Sequence, residues 1–506
     1  MRANLAWPLV WSALAGGLQA WSLALPGSGQ PSGALQVLAM VVLVWQLHQA
    51  LSPSQAAVRV GVFVTVWLTG TFWWLFTALH TFGGLPVVLA IVAVVGLAAA
   101  LSFYYAAAGA LYVRLKPASA SGQAFLWGAL WMLAELARAV WFTGFGWGGV
   151  AYAHVDSWMA AWAPWVGAHG MAAVVAMLAM ALHQCLTQLT MRRLWLPLCL
   201  MLPAAWQSLP ISQGWTQSQG QAEVTLLQGN IAQDEKFQAG SGVPDALDWY
   251  GRQFQQASSG LTIAPETAIP LLPDQLPPGY EDGLRERFAS GDRAALFGMP
   301  MGHLSQGYTN AVIGLKPGQA QPWQYDKHHL VPFGEFIPPW FRWFTDLMNI
   351  PLGSFNRGGL SQASFVWQGQ TWAVNICFED LFGEELAQRF ATEPPSVFVN
   401  VSNIAWFGRS QAPDQHLAIS RLRALEFERP FVRATNTGMT AAIDHRGQVL
   451  AQLPRFERAT LEMTVQGRQG TTPYVWWVSR FGLWPLWGLG IAVLLLCWRL
   501  RRQEAP

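Results

Sequence analysis

Long apolar stretches constrain this chain more than any other feature of its sequence. About eight of them approach or exceed the roughly 20 apolar residues that a helix needs to cross a bilayer core. Because backbone polar groups in lipid must be satisfied within the segment, these stretches predict about eight transmembrane helices. The low charge content agrees, since 11% of the 506 residues are charged against about 25% in an average soluble domain. The stretches cover residues 5–25, 34–51, 60–81, 85–113, 123–143, 158–187, 194–212 and 475–498.

The charged side chains are concentrated in one part of the chain. Residues 215–470 hold 25 of the 28 acidic and 19 of the 30 basic residues. We therefore expect a membrane domain over 1–213 with about seven transmembrane helices, a charged domain outside the membrane over 214–472, and a C-terminal transmembrane helix with a tail over 473–506. The overall net charge of +2 offers no extended basic surface, so nucleic acid is not an expected partner.

The basic residues near the apolar stretches predict an orientation. Lys and Arg next to membrane spans remain in the cytoplasm, and the loops 26–33, 82–84 and 144–157 contain neither. Both termini are then cytoplasmic, and 214–472 is extracytoplasmic. The basic residues all fall on the other side of the spans: Arg2, Arg59, Arg114, Lys116, Arg192, Arg193, Arg499, Arg501 and Arg502.

Short β-branched and apolar runs alternate with helical segments between residues 220 and 450. This alternation predicts layered α/β or α+β packing and leaves the sheet topology open. The expected helices are 244–257, 279–289, 380–390 and 413–428. The expected strands are Glu223–Ile231, Leu261–Ala264, Ala294–Met299, Ala311–Leu315, Thr371–Cys377, Ser396–Asn403 and Val432–Asn436.

Three predicted strand ends carry reactive side chains: Glu266 follows Leu261–Ala264, Lys327 follows a strand that ends in Gln324–Asp326, and Cys377 ends Thr371–Cys377. A thiol is mostly protonated near neutral pH, so a nucleophilic Cys needs a base or a neighbouring cation. Glu266 is the candidate base, and the Lys327 ammonium is suited to stabilising an oxyanion. Together they predict acyl transfer through a thioester on Cys377.

The strings around these residues resemble those of the nitrilase superfamily, whose members use a Glu-Lys-Cys triad on an αββα sandwich. The matching strings are Ala264–Thr267, Tyr325–Glu335 and Ile376–Glu379. The whole chain further resembles the membrane-embedded branch of that superfamily, the apolipoprotein N-acyltransferases. That likeness rests on Gln228–Ile231, Ser402–Gly408, Gln415–His416 and Arg423–Pro430.

This resemblance implies a two-step reaction in a bacterial inner membrane, with the catalytic domain in the periplasm. Cys377 would take a fatty acyl chain from a phospholipid, typically the sn-1 chain of phosphatidylethanolamine. The acyl group would then pass to the N-terminal α-amino group of an S-diacylglyceryl-cysteine apolipoprotein, giving triacylated lipoprotein. The resemblance implies no metal and no organic cofactor.

It also implies secondary roles for residues near the triad. Glu335, Glu379, Phe378 and Asn310 are expected to support the active site, and the expected acyl or substrate contacts are Phe237, Trp406 and Phe333. An apolar loop over 332–362 is predicted to lie against the outer leaflet and admit acyl chains. The loop is rich in proline and aromatic residues, namely Pro332, Phe333, Phe336, Pro338, Pro339, Trp340, Phe341, Trp343 and Phe344.

The sequence departs from the branch at two positions. Phe237 stands where Trp is common, which keeps an aromatic surface and loses the indole hydrogen-bond donor. Ile404 stands where Asp is usual, which removes any role that depends on a charge there. Neither departure touches Glu266, Lys327 or Cys377.

Other interpretations stay open at this stage. The same three residues fit a membrane-tethered amidase that hydrolyses C–N bonds, and a transporter or sensor with an outer binding domain is a third class. Glu135 and Arg138, three residues apart in the fifth apolar stretch, fit either a structural pair or a polar wall. His416 is expected to fix local structure. Acyl length, headgroup preference and oligomeric state are left undetermined.

Overall fold

The computed structural model describes residues 6–188, 190–209, 214–258, 260–337 and 355–504. The chain divides into two compact units. The first comprises the residues up to Thr81, Leu85–Gly214 and the residues from Trp476 onwards, and the second comprises Phe82–Gly84 and Trp215–Val475.

The first unit is helical. Serine side chains cap several helix starts by accepting an orphan backbone N–H; Ser32 accepts from Leu35 and Ser52 accepts from Gln55. The helices with more than one turn, including those after the second unit, are Ala6–Leu23, Gly33–His48, Pro53–Thr71, Thr77–Phe82 (a π-helix), Val87–Leu115, Ala120–Val140, Ala163–Thr187, Met191–Leu200, Leu202–Gln207, Pro473–Phe481 and Trp484–Glu504.

Several of these helices have the length and composition of membrane spans. Among the described residues four reach that level, namely Val87–Leu115, Ala120–Thr143, Trp158–Thr187 and Trp484–Gln503, and Gly33–His48 is a shorter apolar helix. The number of spans predicted from the sequence, about eight, stays a prediction. Where the sequence predicts one span over 194–212, the structure has two short helices that meet at Met201.

Glu135 and Arg138 are both buried, and both bind the loop that follows their helix. Arg138 donates to the carbonyl oxygens of Phe145 (3.0 Å) and Trp147 (2.6 Å). Glu135 accepts the backbone N–H of Val150 at 3.2 Å. These partners are all backbone groups of the same loop. The two buried side chains are therefore satisfied within the helical unit, as in a structural pair.

The described residues of the second unit form two six-stranded sheets. Sheet one runs in the order β12-β1-β2-β3-β4-β5, and sheet two in the order β11-β10-β9-β8-β7-β6. In chain order the strands are β1 Thr216–Gln228, β2 Leu261–Ile263, β3 Ala294–His303, β4 Gly307–Leu315, β5 Trp323–Asp326, β6 Phe365–Trp367, β7 Gln370–Ile376, β8 Val397–Ser402, β9 Phe431–Thr435, β10 Ala441–Ile443, β11 Val449–Gln452 and β12 Ala459–Gly470.

The sheets pack face to face, because one apolar cluster draws side chains from both. A second cluster joins the outer face of sheet one to the helices Gly242–Gln256 and Tyr280–Phe288. On sheet two, the Phe427 ring of the helix Ala412–Phe427 packs against Phe398 of β8 at 5.0 Å between centroids. This αββα layering is the nitrilase-like fold that the sequence predicts.

Four strands escape the sequence-based prediction, namely β6, β10, β11 and β12, whereas β5 is the strand expected before Lys327. β6 and β10 are three residues long, and β12 is largely half-buried or exposed, so none presents a long apolar run. The predicted helix over 380–390 is wrong as one element. A 3-10 turn over Cys377–Leu381 leads instead to the short helices Gly383–Leu386 and Arg389–Thr392, because Phe382 (φ −101°, ψ 75°) is not helical.

Candidate active site

Glu266 lies in a tight turn that follows β2. The backbone N–H of Gly298 in β3 donates to the Pro265 carbonyl at 3.1 Å, and Thr267 has a φ of +51°. A Cβ on Gly298 would lie 2.5 Å from the Thr267 nitrogen and 2.7 Å from the Glu266 Cα. A glycine is therefore required where this turn crosses β3.

Three groups donate to the buried Glu266 carboxylate. Its Oε1 accepts from Asn310 Nδ2 at 2.7 Å and from Lys327 Nζ at 3.3 Å. Its Oε2 accepts the backbone N–H of Asn403 at 2.8 Å. Because charge-assisted hydrogen bonds stabilise an ionised acceptor, this arrangement favours the carboxylate form of Glu266.

Lys327 is fully buried between two carboxylates. It follows β5, and its backbone N–H donates to the Asn310 carbonyl at 2.8 Å. Its Nζ lies 2.9 Å from Glu335 Oε1, and Asn310 Nδ2 also donates to that oxygen at 2.7 Å. One Asn side-chain amide, which has two N–H bonds, thus joins Glu266 to Glu335.

Cys377 follows β7 in a backbone conformation that side chains rarely adopt, with a φ of +55°. Its carbonyl oxygen accepts from Asn400 Nδ2 at 2.7 Å and lies 3.2 Å from His416 Nε2. Strained residues held by their surroundings are typical of functional sites. The turn sets the Cys377 thiol among the charges of Glu266, Lys327 and Glu335.

Burial and neighbouring charges shift the pKa values of Cys377, Glu266 and Lys327. Burial raises the pKa of the Cys377 thiol, and the Glu266 charge raises it further, so the resting thiol is protonated. Burial also raises the pKa of Glu266, but Lys327, Asn310 and Asn403 outweigh it and hold that pKa below its ordinary value. Although burial lowers the pKa of Lys327, the Glu335 and Glu266 carboxylates raise it above its ordinary value overall. A protonated thiol therefore lies beside an ionised carboxylate and an ammonium.

Glu379 is buried, and its carboxylate accepts hydrogen bonds from separate segments of the chain. Its Oε1 accepts the backbone N–H groups of His328 (2.7 Å) and His329 (3.0 Å), and its Oε2 accepts from Ile376 N–H (2.6 Å) and the Tyr325 hydroxyl (3.0 Å). This carboxylate ties the residues after Lys327 to the strand before Cys377. The neighbouring Phe378 ring lies 5.7 Å from Lys327 Nζ.

The three expected contact residues are all substantially exposed. Phe237 is 55%, Trp406 is 41% and Phe333 is 37% exposed. Ile404, at the second departure, is buried in the turn before Trp406. Residues 338–354 of the expected apolar loop lie outside the described residues, so its expected place at the outer leaflet is not described.

Sequence reasoning missed the amide network behind Glu266. The Asn403 side chain donates to Gln233 Oε1 (2.9 Å) and accepts from Asn436 Nδ2 (3.0 Å). Asn436 also pairs with the backbone of Ile231. The Gln228–Ile231 and Ser402–Gly408 strings contain part of this network, but their motif match by itself did not reveal which atoms pair.

A second missed feature is a buried charge cluster next to Cys377. Asp380 lies 3.0 Å from His416 Nε2 and 3.4 Å from Arg433 Nη1, and Arg433 Nη2 lies 3.0 Å from His416 Nδ1. His416 thus contacts the Cys377 backbone, in line with the structural role expected for it. Within the described ranges, no group of three or more His, Cys, Asp or Glu side chains is placed to hold a metal ion.

The sheets and the site geometry define a carbon–nitrogen hydrolase domain of the nitrilase type, and residues 224–474 match the carbon-nitrogen hydrolase family. Residues 15–181 match the apolipoprotein N-acyltransferase N-terminal domain. The chain belongs to the apolipoprotein N-acyltransferase family, and it is an acyltransferase and a membrane enzyme. The amidase alternative fits only at the level of the superfamily.

Curated relatives match over almost the whole chain. The apolipoprotein N-acyltransferase of Verminephrobacter eiseniae is 52% identical, over 95% of this chain and 94% of that protein. The enzyme of the same name from Ralstonia nicotianae is 40% identical, over 93% of this chain and 90% of that protein. Among solved structures, an amidase of the nitrilase superfamily from Nesterenkonia is 16% identical and covers 54% of this chain and all of its own, with a TM-score of 0.38.

Proposed function

We propose that Cys377 carries a fatty acyl group as a thioester between a phospholipid and an apolipoprotein. The donor is the sn-1 chain of phosphatidylethanolamine, and the acceptor is the α-amino group of S-diacylglyceryl-cysteine at the lipoprotein N-terminus. The observation that carries the proposal is the ionised, triply hydrogen-bonded Glu266 carboxylate beside the protonated Cys377 thiol. The names of the relatives support the acceptor.

In the first half-reaction, Glu266 takes the proton of the Cys377 thiol while the sulfur attacks the ester carbonyl carbon of the phospholipid. Lys327 stabilises the oxyanion of the tetrahedral intermediate. When that intermediate collapses, the ester C–O bond breaks and Glu266 returns the proton to the leaving alkoxide. The products are the acyl-enzyme thioester and a lysophospholipid.

In the second half-reaction, the neutral α-amine of the lipoprotein attacks the thioester carbon and Glu266 takes its proton. The C–S bond then breaks, an amide forms, and the proton returns to the Cys377 sulfur. Because an α-amino group has a pKa near about 7.7–8.0, a fraction of the acceptor is neutral at neutral pH. Glu266 serves as base and then acid in both halves.

The surrounding residues hold this machinery in place. Glu335 and Asn310 fix Lys327 relative to Glu266 through distances of 2.7 to 2.9 Å. Glu379 fixes the backbone around both Lys327 and Cys377, and the Phe378 ring covers the ammonium. No step requires a metal or an organic cofactor.

The proposed acyl donor is a membrane phospholipid, and the expected orientation of the chain is consistent with a donor from the membrane. The basic residues at the span ends support a periplasmic catalytic domain with both termini in the cytoplasm. Phe237, Trp406 and Phe333 are the proposed acyl or substrate contacts, since each exposes an aromatic surface suited to a lipid chain.

Intact-mass spectrometry tests the thioester directly. We expect wild-type protein incubated with phosphatidylethanolamine to gain one fatty-acyl mass, and neutral hydroxylamine to remove it. The variant Cys377→Ser is the matched control, because it replaces one atom and removes the thiolate chemistry. It should not gain a hydroxylamine-sensitive mass.

The acceptor half is tested by adding a synthetic diacylglyceryl-cysteine peptide to the acylated protein. Loss of the adduct with matching N-acylation of the peptide supports the proposal. Absence of any adduct on folded wild type with lipid present contradicts it and favours amide chemistry on small molecules. Transfer of the acyl group to water alone, with peptide present, contradicts the acceptor.

A further inference from the structure

Lys236 is a buried lysine outside the expected triad. It is 2% exposed, which is rare for an ammonium group with no carboxylate among the described residues in hydrogen-bond contact. It lies between β1 and the helix Gly242–Gln256, and its backbone N–H donates to the Ala232 carbonyl at 2.9 Å. A Cβ on Gly242 would approach the Lys236 Cα to 2.8 Å, so the helix start packs tightly against this loop.

The Lys236 side chain reaches the turn that carries Glu266. Its Nζ donates to the Glu266 main-chain carbonyl at 3.1 Å and lies 6.0 Å from the Phe237 ring. The charges of Glu266 and Cys377 both act on it. The Lys236 ammonium is therefore hydrogen-bonded to the main chain of Glu266, the proposed base, and lies close to Cys377, the proposed nucleophile.

The charges of the site explain why a second ammonium is needed. Glu266 and Glu335 are joined through Asn310 and share one cation, Lys327. A negative charge close to a carboxylate disfavours its ionisation, and a second buried cation, Lys236, opposes that effect on Glu266.

We propose that Lys236 is a positioning residue for Glu266. Its ammonium fixes the Glu266 turn through the main-chain carbonyl, and its charge keeps the Glu266 carboxylate ionised and ready to take the Cys377 proton. This inference rests on the proposed function, in which Glu266 is the base.

The ionisation of Lys236 itself agrees with that role. Burial lowers its pKa to about 8, against the opposing effects of Glu266 and Cys377, so the side chain is mostly charged at neutral pH. The titratable groups that face Glu266 are Lys327, Lys236 and Cys377, with Glu335 across the Asn310 amide. Of the two lysines, Lys327 forms ion pairs with the Glu266 and Glu335 carboxylates, and Lys236 forms an ion pair with neither of them.

The test is the pH profile of thioester formation in the full-length protein, with phosphatidylethanolamine as donor and intact mass as readout. At saturating lipid, we expect Lys236→Met to move the acidic limb of the pH–rate profile upward, by less than the loss of Lys327 would, because Glu266 loses a nearby positive charge. Lys236→Arg should keep the acidic limb near its wild-type position, whatever its rate. A role limited to folding would lower the amplitude and leave the limb in place.

Lys316 offers a matched control. Its ammonium also donates to a main-chain carbonyl, that of Val366 at 2.7 Å, and lies 5.4 Å from the Phe365 ring, but it is only partly buried and lies past the end of β4, six residues along the chain from Asn310. Lys316→Met should leave the acidic limb unchanged. An unchanged limb in Lys236→Met, with wild type acylating normally, overturns the inference about Lys236 while the proposed function stands.

A second background keeps the test decisive if Lys236→Met does not fold. In Glu335→Gln the site has one carboxylate fewer, so the fold tolerates the loss of the Lys236 charge better. Lys236→Met still removes a positive charge that acts on Glu266, so the acidic limb of Glu335→Gln should rise when Lys236→Met is added, and equal limbs overturn the inference. Failure of wild type itself to form the thioester would instead refute the proposed function.

Discussion

Gly298 controls the position of Glu266, and replacing it with alanine is a severe test of the site geometry. The new Cβ would lie 2.5 Å from the Thr267 nitrogen, 2.6 Å from the Pro265 carbonyl oxygen and 2.7 Å from the Glu266 Cα. All three are backbone atoms, so no side chain can rotate out of the way. Either β3 or the Glu266 turn must move.

The size of that movement follows from the contact distances. Ordinary contact begins at 3.4 Å, so the turn must retreat by about 0.9 Å from a Cβ that lies 2.5 Å away. A displacement of about 1 Å at a reacting group costs roughly 100-fold in rate, which is about 2.7 kcal/mol of activation free energy. Overpacking costs about 1–3 kcal/mol of folding free energy.

The assay is the single-turnover rate of thioester formation, read by intact mass beside a thermal unfolding curve. We expect Gly298→Ala to stay folded and to acylate about 100-fold more slowly than wild type. Gly283→Ala is the control, because a Cβ at Gly283 meets nothing within 4 Å. Acylation of Gly298→Ala within about threefold of wild type would refute the reasoning, since a factor of three is under about 0.7 kcal/mol.

Three further predictions follow from the buried charges. Glu335→Gln removes the carboxylate 2.9 Å from Lys327 and should slow thioester formation by about 10- to 100-fold; a wild-type rate in the same mass assay would contradict it. Asp380→Asn leaves the Arg433 charge buried without its carboxylate, and should lower the free energy of unfolding by about 3–5 kcal/mol, measured by denaturant titration; a change below about 1 kcal/mol would count against it. The pKa of Glu266 is lowered in the folded protein, so its stabilising contribution is complete above the unfolded value of about 4.3. That contribution is lost as pH falls through the folded value. The unfolding midpoint of wild type should therefore drop more on acidification than that of Glu266→Gln, and parallel curves would refute this.

Short strings predicted the candidate site, because each of its proposed reactive residues lies at the end of a strand-like run. The structure brings the charges of Glu266 and Lys327 to the Cys377 thiol. Lys236 illustrates the limit of such prediction. The strings drew attention to its neighbour Phe237, but they did not show that Lys236 contacts the Glu266 carbonyl.

Strand prediction failed where the local signal was weak. β6 and β10 have three residues each, and β12 is a mostly exposed strand next to β1. Backbone pairing with a neighbouring strand defines each of them: β6 pairs with β7, β10 with β9 and β12 with β1. The predicted helix over 380–390 failed for the opposite reason, since Glu379 binds backbone groups after β5 and at the end of β7 and fixes a turn that local propensity does not encode.

The apolar helices, the separation of charged residues from apolar ones, and the three candidate site residues were all predicted from the sequence. Each is a property of residue type and local spacing, which periodicity and composition record directly. The tertiary structure alone decided which groups control Glu266. The Asn403 backbone N–H that binds its carboxylate is 137 residues away along the chain, and every non-proline residue has such a donor. Only the order of the strands selects one N–H group from all of them, because that order brings distant loops to the same end of the two sheets.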